Sequence, residues 1–254
     1  TFTHLPLGSY KVEVVPGNVT LNGDTVALSD YTQTLAYGSS ASRTDAGKGK
    51  LTTPTAITLT AAAPTASKID FGFVKPASIG DYVWFDANKD GIQDADEYGV
   101  AGVRVTLVDS LDRPVVDANG NTVAAVTTDA NGKYTFENLL PNPERMLAQN
   151  GNDSYTVRFT PPAGYTGTIS NAGTDADTDS NGPTPKVTLA QGQKDMSIDF
   201  GLISNGYIGD TIFWDIDNTG GFNPTEHDKE LAGVIVKLTF KTPAGVEKTL
   251  TTTT

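Results

Sequence analysis

The chain has 254 residues, enough for about two ordinary domains, and carries 18 Lys and Arg against 30 Asp and Glu, a net charge of −12. This acidity disfavours nucleic acid and anionic membrane surfaces as partners, because both are bound through clustered basic side chains. The absence of cysteine excludes disulfides and thiolate metal sites. No apolar run approaches the ~20 residues that a membrane-spanning helix needs.

The composition predicts an all-β fold. The chain contains 26 Gly and 14 Pro but only 2 Met, which favours short strands joined by turns over long helices. Alternating apolar residues predict half-buried strands at three places in the middle of the chain. We expect tandem Greek-key β-sandwich modules with about seven or eight strands each. The alternating sets are Val103/Val105/Leu107, Tyr155/Val157/Phe159 and Ile198/Phe200/Leu202.

An internal repeat sets the domain organisation. The motif Ile69-Asp70-Phe71-Gly72 returns 129 residues later as Ile198-Asp199-Phe200-Gly201, and Ile79-Gly80-Asp81 returns at the same offset as Ile208-Gly209-Asp210. Two separate motifs that share one offset indicate repeated modules. The predicted order is the C-terminal part of a first repeat (1–74), a linker (75–78), a complete repeat (79–202), a second linker (203–207) and the N-terminal part of a third repeat (208–254).

The complete repeat contains an acidic loop with the spacing of a calcium site. Residues 86–97 match the pattern D-x-[DN]-x-[DN]-G-x5-E, in which oxygen ligands surround one ion and the glycine permits a sharp turn. The alternative is an acidic surface loop without an ion. The flanking residues favour strands, so the loop is expected without the helix pair of an EF-hand. The predicted ligands are Asp86, Asn88, Asp90, the carbonyl of Ile92, Asp94 directly or through water, and both oxygens of Glu97.

A second acidic segment lies nearer the end of the complete repeat. Asp175, Asp177, Asp179 and Asn181 occupy alternate positions, and carboxylates spaced in this way within a turn can converge on one ion. A solvated loop is the alternative, because no strict spacing rule describes this segment.

The third repeat contains a modified copy of the first loop. Asp215 and Asp217 keep positions one and three, but Thr219 replaces the third acidic residue. Two additional residues separate this loop from the Ala-Gly pair that follows it. Either Glu226 or Asp228 could therefore complete a calcium shell here.

Several motifs together resemble the SdrD-type B domain, a Cna-B-like repeat of bacterial surface adhesin stalks. The resemblance implies an immunoglobulin-like or prealbumin-like sandwich that is stiffened by calcium and exported to the cell surface. The motifs are Ile79-Gly80-Asp81-Tyr82-Val83-Trp84 before the acidic loop, Ala101-Gly102-Val103, Asp129-Ala130-Asn131-Gly132-Lys133-Tyr134, Pro161-Pro162-Ala163-Gly164-Tyr165, Asp177-Thr178-Asp179-Ser180-Asn181-Gly182 and Ile198-Asp199-Phe200-Gly201.

The resemblance also raises the question of a covalent crosslink. Many related Cna-B modules carry a Lys-to-Asn isopeptide bond anchored by a lysine of the first strand. Residues 79–85 contain no lysine, and neither do residues 208–214. We therefore expect Ca²⁺, rather than a crosslink, to stabilise these modules.

Catalysis is not expected, because the only two histidines, His4 and His227, belong to different repeats. The sequence favours a calcium-stabilised structural stalk or fibre module of a secreted bacterial surface adhesin. The alternative is a ligand-binding or carbohydrate-binding adhesin module. The expected partners are adjacent repeats of the same array. Residues 207–254 of one chain are also expected to complete residues 1–74 of another by adding strands in trans, with a window on a longer continuous array as the alternative.

Overall fold

The fold was derived from a computed structural model that describes residues 1–15, 17–33, 55–66, 71–141, 154–206, 208–242 and 245–254. Ile69, Asp70 and Tyr207, which belong to the predicted repeat motif and second linker, lie outside these residues. Within the described ranges the regular structure consists of β-strands and two short 3-10 helices. No helix in those ranges is long and apolar enough to span a bilayer.

The first part of the chain forms three separate two-stranded sheets. Its strands are β1 (Gly8–Val12), β2 (Asn18–Leu21), β3 (Asp24–Ala27), β4 (Thr32–Gln33), β5 (Thr55–Leu59) and β6 (Phe73–Val74), with a 3-10 helix at Leu28–Asp30. The antiparallel pairs are β1 with β5, β2 with β3, and β4 with β6.

The middle repeat is a sandwich of two sheets. Its strands are β7 (Ala77–Phe85), β8 (Tyr98–Gly99), β9 (Arg104–Asp109), β10 (Val126–Thr127), β11 (Lys133–Leu139), β12 (Tyr155–Thr160), β13 (Tyr165–Gly167), β14 (Lys186–Val187), β15 (Lys194–Asp195) and β16 (Phe200–Ser204). One sheet has the order β10-β9-β12-β14. The other has the order β11-β7-β16-β13, with β8 and β15 also paired to β7.

The two sheets enclose one apolar core. Val105 and Leu107 of β9 are buried, as are Tyr155 and Val157 of β12, in agreement with the alternation in the sequence. From the other sheet, Phe200 stacks on Phe159 with ring centroids 4.8 Å apart. Burying a large apolar side chain of this kind stabilises the fold by about 1.5–3 kcal/mol. The prediction of an all-β sandwich is therefore confirmed.

The central strand β7 fixes the position of the acidic loop. It pairs with β11 on one side and in parallel with β16 on the other, and its last residues lead directly into Asp86. The strand begins at Ala77, within the predicted linker, because the Ser78 N–H donates to the carbonyl of Gln193 at 2.9 Å. Strand β16 likewise extends through Ser204, two residues beyond the predicted end of the repeat.

The described residues of the last part of the chain form two antiparallel strand pairs. Its strands are β17 (Phe213–Trp214), β18 (Lys229–Glu230), β19 (Ile235–Lys241) and β20 (Glu247–Thr253), with a 3-10 helix at Pro224–Glu226. Strand β17 pairs with β18 just as β7 pairs with β8 in the middle repeat. At the other end of the chain, β4 pairs with β6 as β13 pairs with β16. The flanking segments thus reproduce strand pairs of the complete repeat.

Candidate metal centres

Asp86 anchors the first acidic loop. Its side chain is fully buried at the end of β7, where unpaired carboxylates are costly. The backbone N–H groups of Lys89 and Gly91 donate to its two oxygens at 2.6 and 2.8 Å, and the Thr168 hydroxyl also donates to it. These bonds turn the loop back over the strand end from which it begins.

The next ligand positions form a network of carboxylate and amide groups. The Asn88 side-chain nitrogen donates to the carboxylates of Asp90 and Asp94 at 2.9 and 2.8 Å. The Asn88 side-chain oxygen accepts from the Asp90 N–H, and the Asp90 carboxylate accepts from the Ile92 N–H. The structure therefore brings these predicted residues together on one side of the loop.

Glu97 closes the loop. One carboxylate oxygen accepts from the Ala87 N–H at 2.7 Å and the other from the Asp94 N–H at 3.2 Å. Burial raises the pKa of Glu97 against the opposing effect of these hydrogen bonds, and the carboxylates of Asp86 and Asp94 raise it further. The Glu97 carboxylate therefore lies in a partly buried, negatively charged environment.

The first loop pairs directly with the second acidic segment, a contact that the sequence analysis did not predict. Ile92 and Asp179 form an isolated antiparallel bridge. The Gln93 N–H donates to the Thr178 carbonyl at 2.8 Å, and the Ser180 N–H donates to the Gly91 carbonyl at 3.0 Å. Residues 91–93 and 178–180 thus run side by side, so the two predicted sites are neighbours.

The second segment divides into exposed and buried acids. Asp175 and Asp177 are exposed, whereas Asp179 is 8% exposed and has one carboxylate oxygen without a hydrogen-bond partner. The Asn181 side chain accepts from the Asp199 N–H, so it fixes a neighbouring strand. The structure does not gather all four predicted residues around one point.

Asp199 is a candidate ligand that sequence reasoning missed. It is 1% exposed; one carboxylate oxygen accepts from the Tyr82 N–H at 2.9 Å, and the other is buried without a partner. Burial raises its pKa to about 8, and the carboxylates of Asp81, Asp177 and Asp179 add to this shift. Its signal in the sequence was an acid recurring within the apolar motif Ile-Asp-Phe-Gly.

The loop of the third repeat has the same turns as the first. The residues at the fourth loop position, Lys89 and Asn218, both have positive φ, and Gly220 has the φ of +79° found at Gly91. Asp215 accepts from the N–H groups of Thr219 and Gly220 at 3.1 and 2.9 Å, and the second of these bonds is equivalent to that from Gly91 to Asp86.

Asp228 closes this third loop. Asp215, Asp217 and Asp228 each place a carboxylate oxygen within 4.8 Å of the others, and Asp228 is buried. Its two oxygens accept from the N–H groups of Ile216 and Asn223, which matches the bonds of Glu97 to Ala87 and Asp94. The side chain of Glu226, the other predicted ligand, lies outside the described part of the structure.

Strand pairing explains why Asp228 closes the third loop in the place that Glu97 has in the first. Phe213 pairs with Glu230 in the third repeat as Trp84 pairs with Gly99 in the middle one, which aligns Asp228 with Glu97. The two additional residues accompany the 3-10 helix at Pro224–Glu226. The longer loop places the shorter aspartate side chain where glutamate lies in the middle repeat.

A sequence model of the SdrD B-like domain matches residues 77–202. The complete repeat therefore belongs to the SdrD B-like domain family, and the resemblance drawn from its motifs is confirmed.

Relatives with this sequence similarity are much longer proteins. Serine-aspartate repeat-containing protein F of Staphylococcus epidermidis is 40% identical over 215 residues, which cover 84% of this chain and 11% of that protein. Serine-aspartate repeat-containing protein D of Staphylococcus aureus (strain Newman) is 41% identical over 172 residues, which cover 66% of this chain and 11% of that protein. The chain thus spans about a tenth of the length of these relatives.

Solved structures with some likeness are Gram-positive pilins. The minor pilin GBS52 of Streptococcus agalactiae has a TM-score of 0.33 at 11% identity and covers 61% of this chain and 60% of its own. A streptococcal ancillary pilin has a TM-score of 0.33 at 15% identity, covering 98% of this chain and 60% of its own. Since both scores are low, the fold assignment rests on the strand pairing described above.

The close contact between the first loop and residue 169 predicts unequal effects for two glycine substitutions. Gly91 and Gly102 both have a φ of +79°, so alanine at either position costs about 1–2 kcal/mol of folding free energy. A Cβ at Gly91 would lie 2.5 Å from the Ile169 carbonyl oxygen, whereas a Cβ at Gly102 would meet no atom within 4 Å. Denaturant unfolding should show a larger loss for Gly91→Ala than for Gly102→Ala. Equal losses would contradict this packing.

Proposed function

We propose that this chain is part of a calcium-stabilised structural stalk of a bacterial surface adhesin. The observation that carries the proposal is the burial of carboxylate oxygens without hydrogen-bond partners on Asp179 and Asp199, beside a loop with calcium spacing. All the donors concerned are oxygens, which favour a hard cation, and their number suits Ca²⁺ better than Mg²⁺. Calcium would supply the positive charge that these carboxylates lack.

The first site is residues 86–97. Asp86, Asp90 and Glu97 give carboxylate oxygens, with Ile92 giving its carbonyl and Asp94 acting directly or through water. The Asn88 amide hydrogens lie between two carboxylates, where a cation is also attracted. Rotation of this amide presents its oxygen to the ion in place of its nitrogen.

The second site joins the segment 175–181 to β16. Its proposed ligands are Asp177, Asp179 and Asp199, because the last two have free buried oxygens and Asp177 contributes to the raised pKa of Asp199. Asp175 is a more peripheral ligand, and Asn181 positions Asp199 through its backbone. The third site comprises Asp215, Asp217 and Asp228.

The mechanical role follows from the arrangement of the sites. Each ion would tie a loop to the end of a core strand, so that segments without extensive apolar packing become rigid. Repeats joined by linkers of only a few residues would then form a stiff series. The family match and the similarity to repeat-containing staphylococcal proteins support a module of a repeated series, which we infer to be secreted, surface-exposed and without catalysis.

Calcium removal is the direct test of the proposal. A ligand that binds only the folded state stabilises it by mass action, about 2.7 kcal/mol per site at a concentration 100 times the Kd. We expect EDTA to lower the melting temperature of the 254-residue chain and excess calcium to restore it, with magnesium as the control ion. An unchanged melting curve in EDTA would contradict the proposal.

The ligand roles in the first loop predict a ranking of two neutral substitutions. Glu97→Gln should weaken calcium binding more than Asp94→Asn, because Glu97 is placed to bind through both oxygens whereas Asp94 binds through one oxygen or through a water molecule. Calorimetric titration of both variants measures the difference. Equal losses of affinity would show that the loop positions are assigned wrongly.

The second site predicts opposite effects of one substitution with and without calcium. In EDTA, Asp199→Asn should leave stability unchanged or raise it, because burial already disfavours the ionised carboxylate and a neutral amide can still accept from the Tyr82 N–H. In calcium the variant should gain less stability than the parent chain, since one ligand is impaired. The matched control is Asp195→Asn, an acid on β15 outside the proposed sites. If calcium stabilises the parent chain and Asp199→Asn equally, Asp199 is not a ligand of the second site.

The third loop predicts which acid closes it. Asp228→Asn should weaken calcium binding at this loop, whereas Glu226→Gln should have a small effect, because strand pairing aligns Asp228 with Glu97. Titration should be done in a Glu97→Gln background, which impairs the first loop. Greater sensitivity to Glu226→Gln would reverse the assignment.

A further inference from the structure

The closing end of the first calcium loop is in contact with the following repeat. The Lys248 ammonium group of β20 donates to the Asp96 carbonyl at 2.7 Å. The ring of Phe240, on β19, lies edge-on to the ring of Tyr98, with centroids 5.6 Å apart. These two contacts flank Glu97, the residue that closes the loop.

An aromatic chain connects this contact to the middle repeat. Tyr98 stacks on Phe85 with centroids 5.4 Å apart, and Phe85 meets Tyr165 edge-on at 6.1 Å. Phe85 is the last residue of β7 and precedes Asp86, the first predicted ligand. The Tyr98 ring, which contacts Phe240, follows the last residue of the loop and packs on the residue that precedes its first.

The end of the β19–β20 hairpin also lines a cleft against the middle repeat. This cleft has a volume of about 420 Å³ and includes Tyr82, Glu97 and Tyr98 on one side, with Thr242 and Lys248 on the other. Thr242 is 6% exposed although it lies in the turn that follows β19. The hairpin end is thus partly enclosed by the preceding repeat.

Charge also favours this contact. Residues 86–97 contain five acidic side chains and one lysine, a formal charge of −4, so one bound Ca²⁺ would leave −2. Lys248 therefore faces a negative loop whether or not the ion is bound. Calcium would not repel the hairpin, and its main effect would be to fix the positions of residues 96–98.

We propose that residues 96–98 are the docking surface for the β19–β20 hairpin of the following repeat, and that this docking is thermodynamically coupled to calcium binding in residues 86–97. The inference rests on the proposed calcium site. An ion that orders Glu97 also orders Asp96 and Tyr98, so the hairpin meets a preformed surface. Because such coupling is reciprocal, a docked hairpin must increase the affinity of the loop for calcium by the same factor.

The first experiment measures docking in the whole chain. Since the chain has no cysteine, Lys186→Cys and Thr251→Cys can carry two spin labels on the middle repeat and on the hairpin. The distance distribution should be narrow in calcium and broad in EDTA. It should also be broad in calcium for the double variant Phe240→Ala/Lys248→Ala, but narrow for Lys237→Ala, which removes another exposed lysine of the same hairpin. A distribution that does not respond to calcium, or to the double variant, would overturn the proposal.

The second experiment measures the reciprocal effect on the ion. In a background of Asp199→Asn and Asp228→Asn, which impairs the other two sites, calorimetry reports on the first loop. Phe240→Ala/Lys248→Ala should weaken calcium binding there about threefold to tenfold, and Lys237→Ala should leave it unchanged. Unchanged affinity in the double variant would overturn the coupling alone. Absence of calcium binding in the parent chain would instead refute the proposed function.

Discussion

The buried carboxylate of Asp86 is the constraint on which the acidic loop and its surroundings depend. It lies at the end of the central strand, where its backbone N–H donates to the Leu202 carbonyl of β16 at 2.8 Å. Its side chain accepts from two N–H groups of the loop and from Thr168, on the segment that follows β13. One residue thus joins the core sheet, the loop and the chain leading to the second acidic segment. A neutral apolar side chain could fill the space but could not hold these donors.

The position of the second acidic segment is set by its pairing with this loop. Pairing of residues 91–93 with 178–180 places Asp179 beneath the first loop, and the Ser180 hydroxyl accepts from the Gly201 N–H at 3.1 Å. The segment is therefore tied to β16, and Asp199 is the residue immediately before this strand. Burial of two incompletely paired carboxylates is unfavourable without a positive charge. The packing that defines the sandwich also buries these carboxylate oxygens, and the proposed cation would bind where that packing has placed them.

Features encoded by local spacing were predictable from the sequence. The strands containing Val105 and Val157 and the loop from Asp86 to Glu97 depend on residues close together in the chain, and the repeat was visible because short motifs recur. Asp199 was missed because it lies 20 residues beyond Asp179 and is joined to the second acidic segment by backbone and side-chain hydrogen bonds with Asn181, which no local spacing rule describes. The choice between Glu226 and Asp228 also needed the strand register, because an insertion within a loop changes which residue reaches the end of it.

The placement of these sites has a consequence for a series of repeats. An ion bound within a rigid core stabilises one module, whereas an ion bound in a loop that touches the next module can also set the angle between them. In this chain the loop closed by Glu97 touches the next module, because Asp96 and Tyr98 contact residues of the following hairpin. The third repeat preserves the turns and closing carboxylate of this loop through Asp228. If calcium binds as proposed, repetition of this loop in a series of repeats would make stiffness depend on calcium at each junction and not only on the stability of each sandwich.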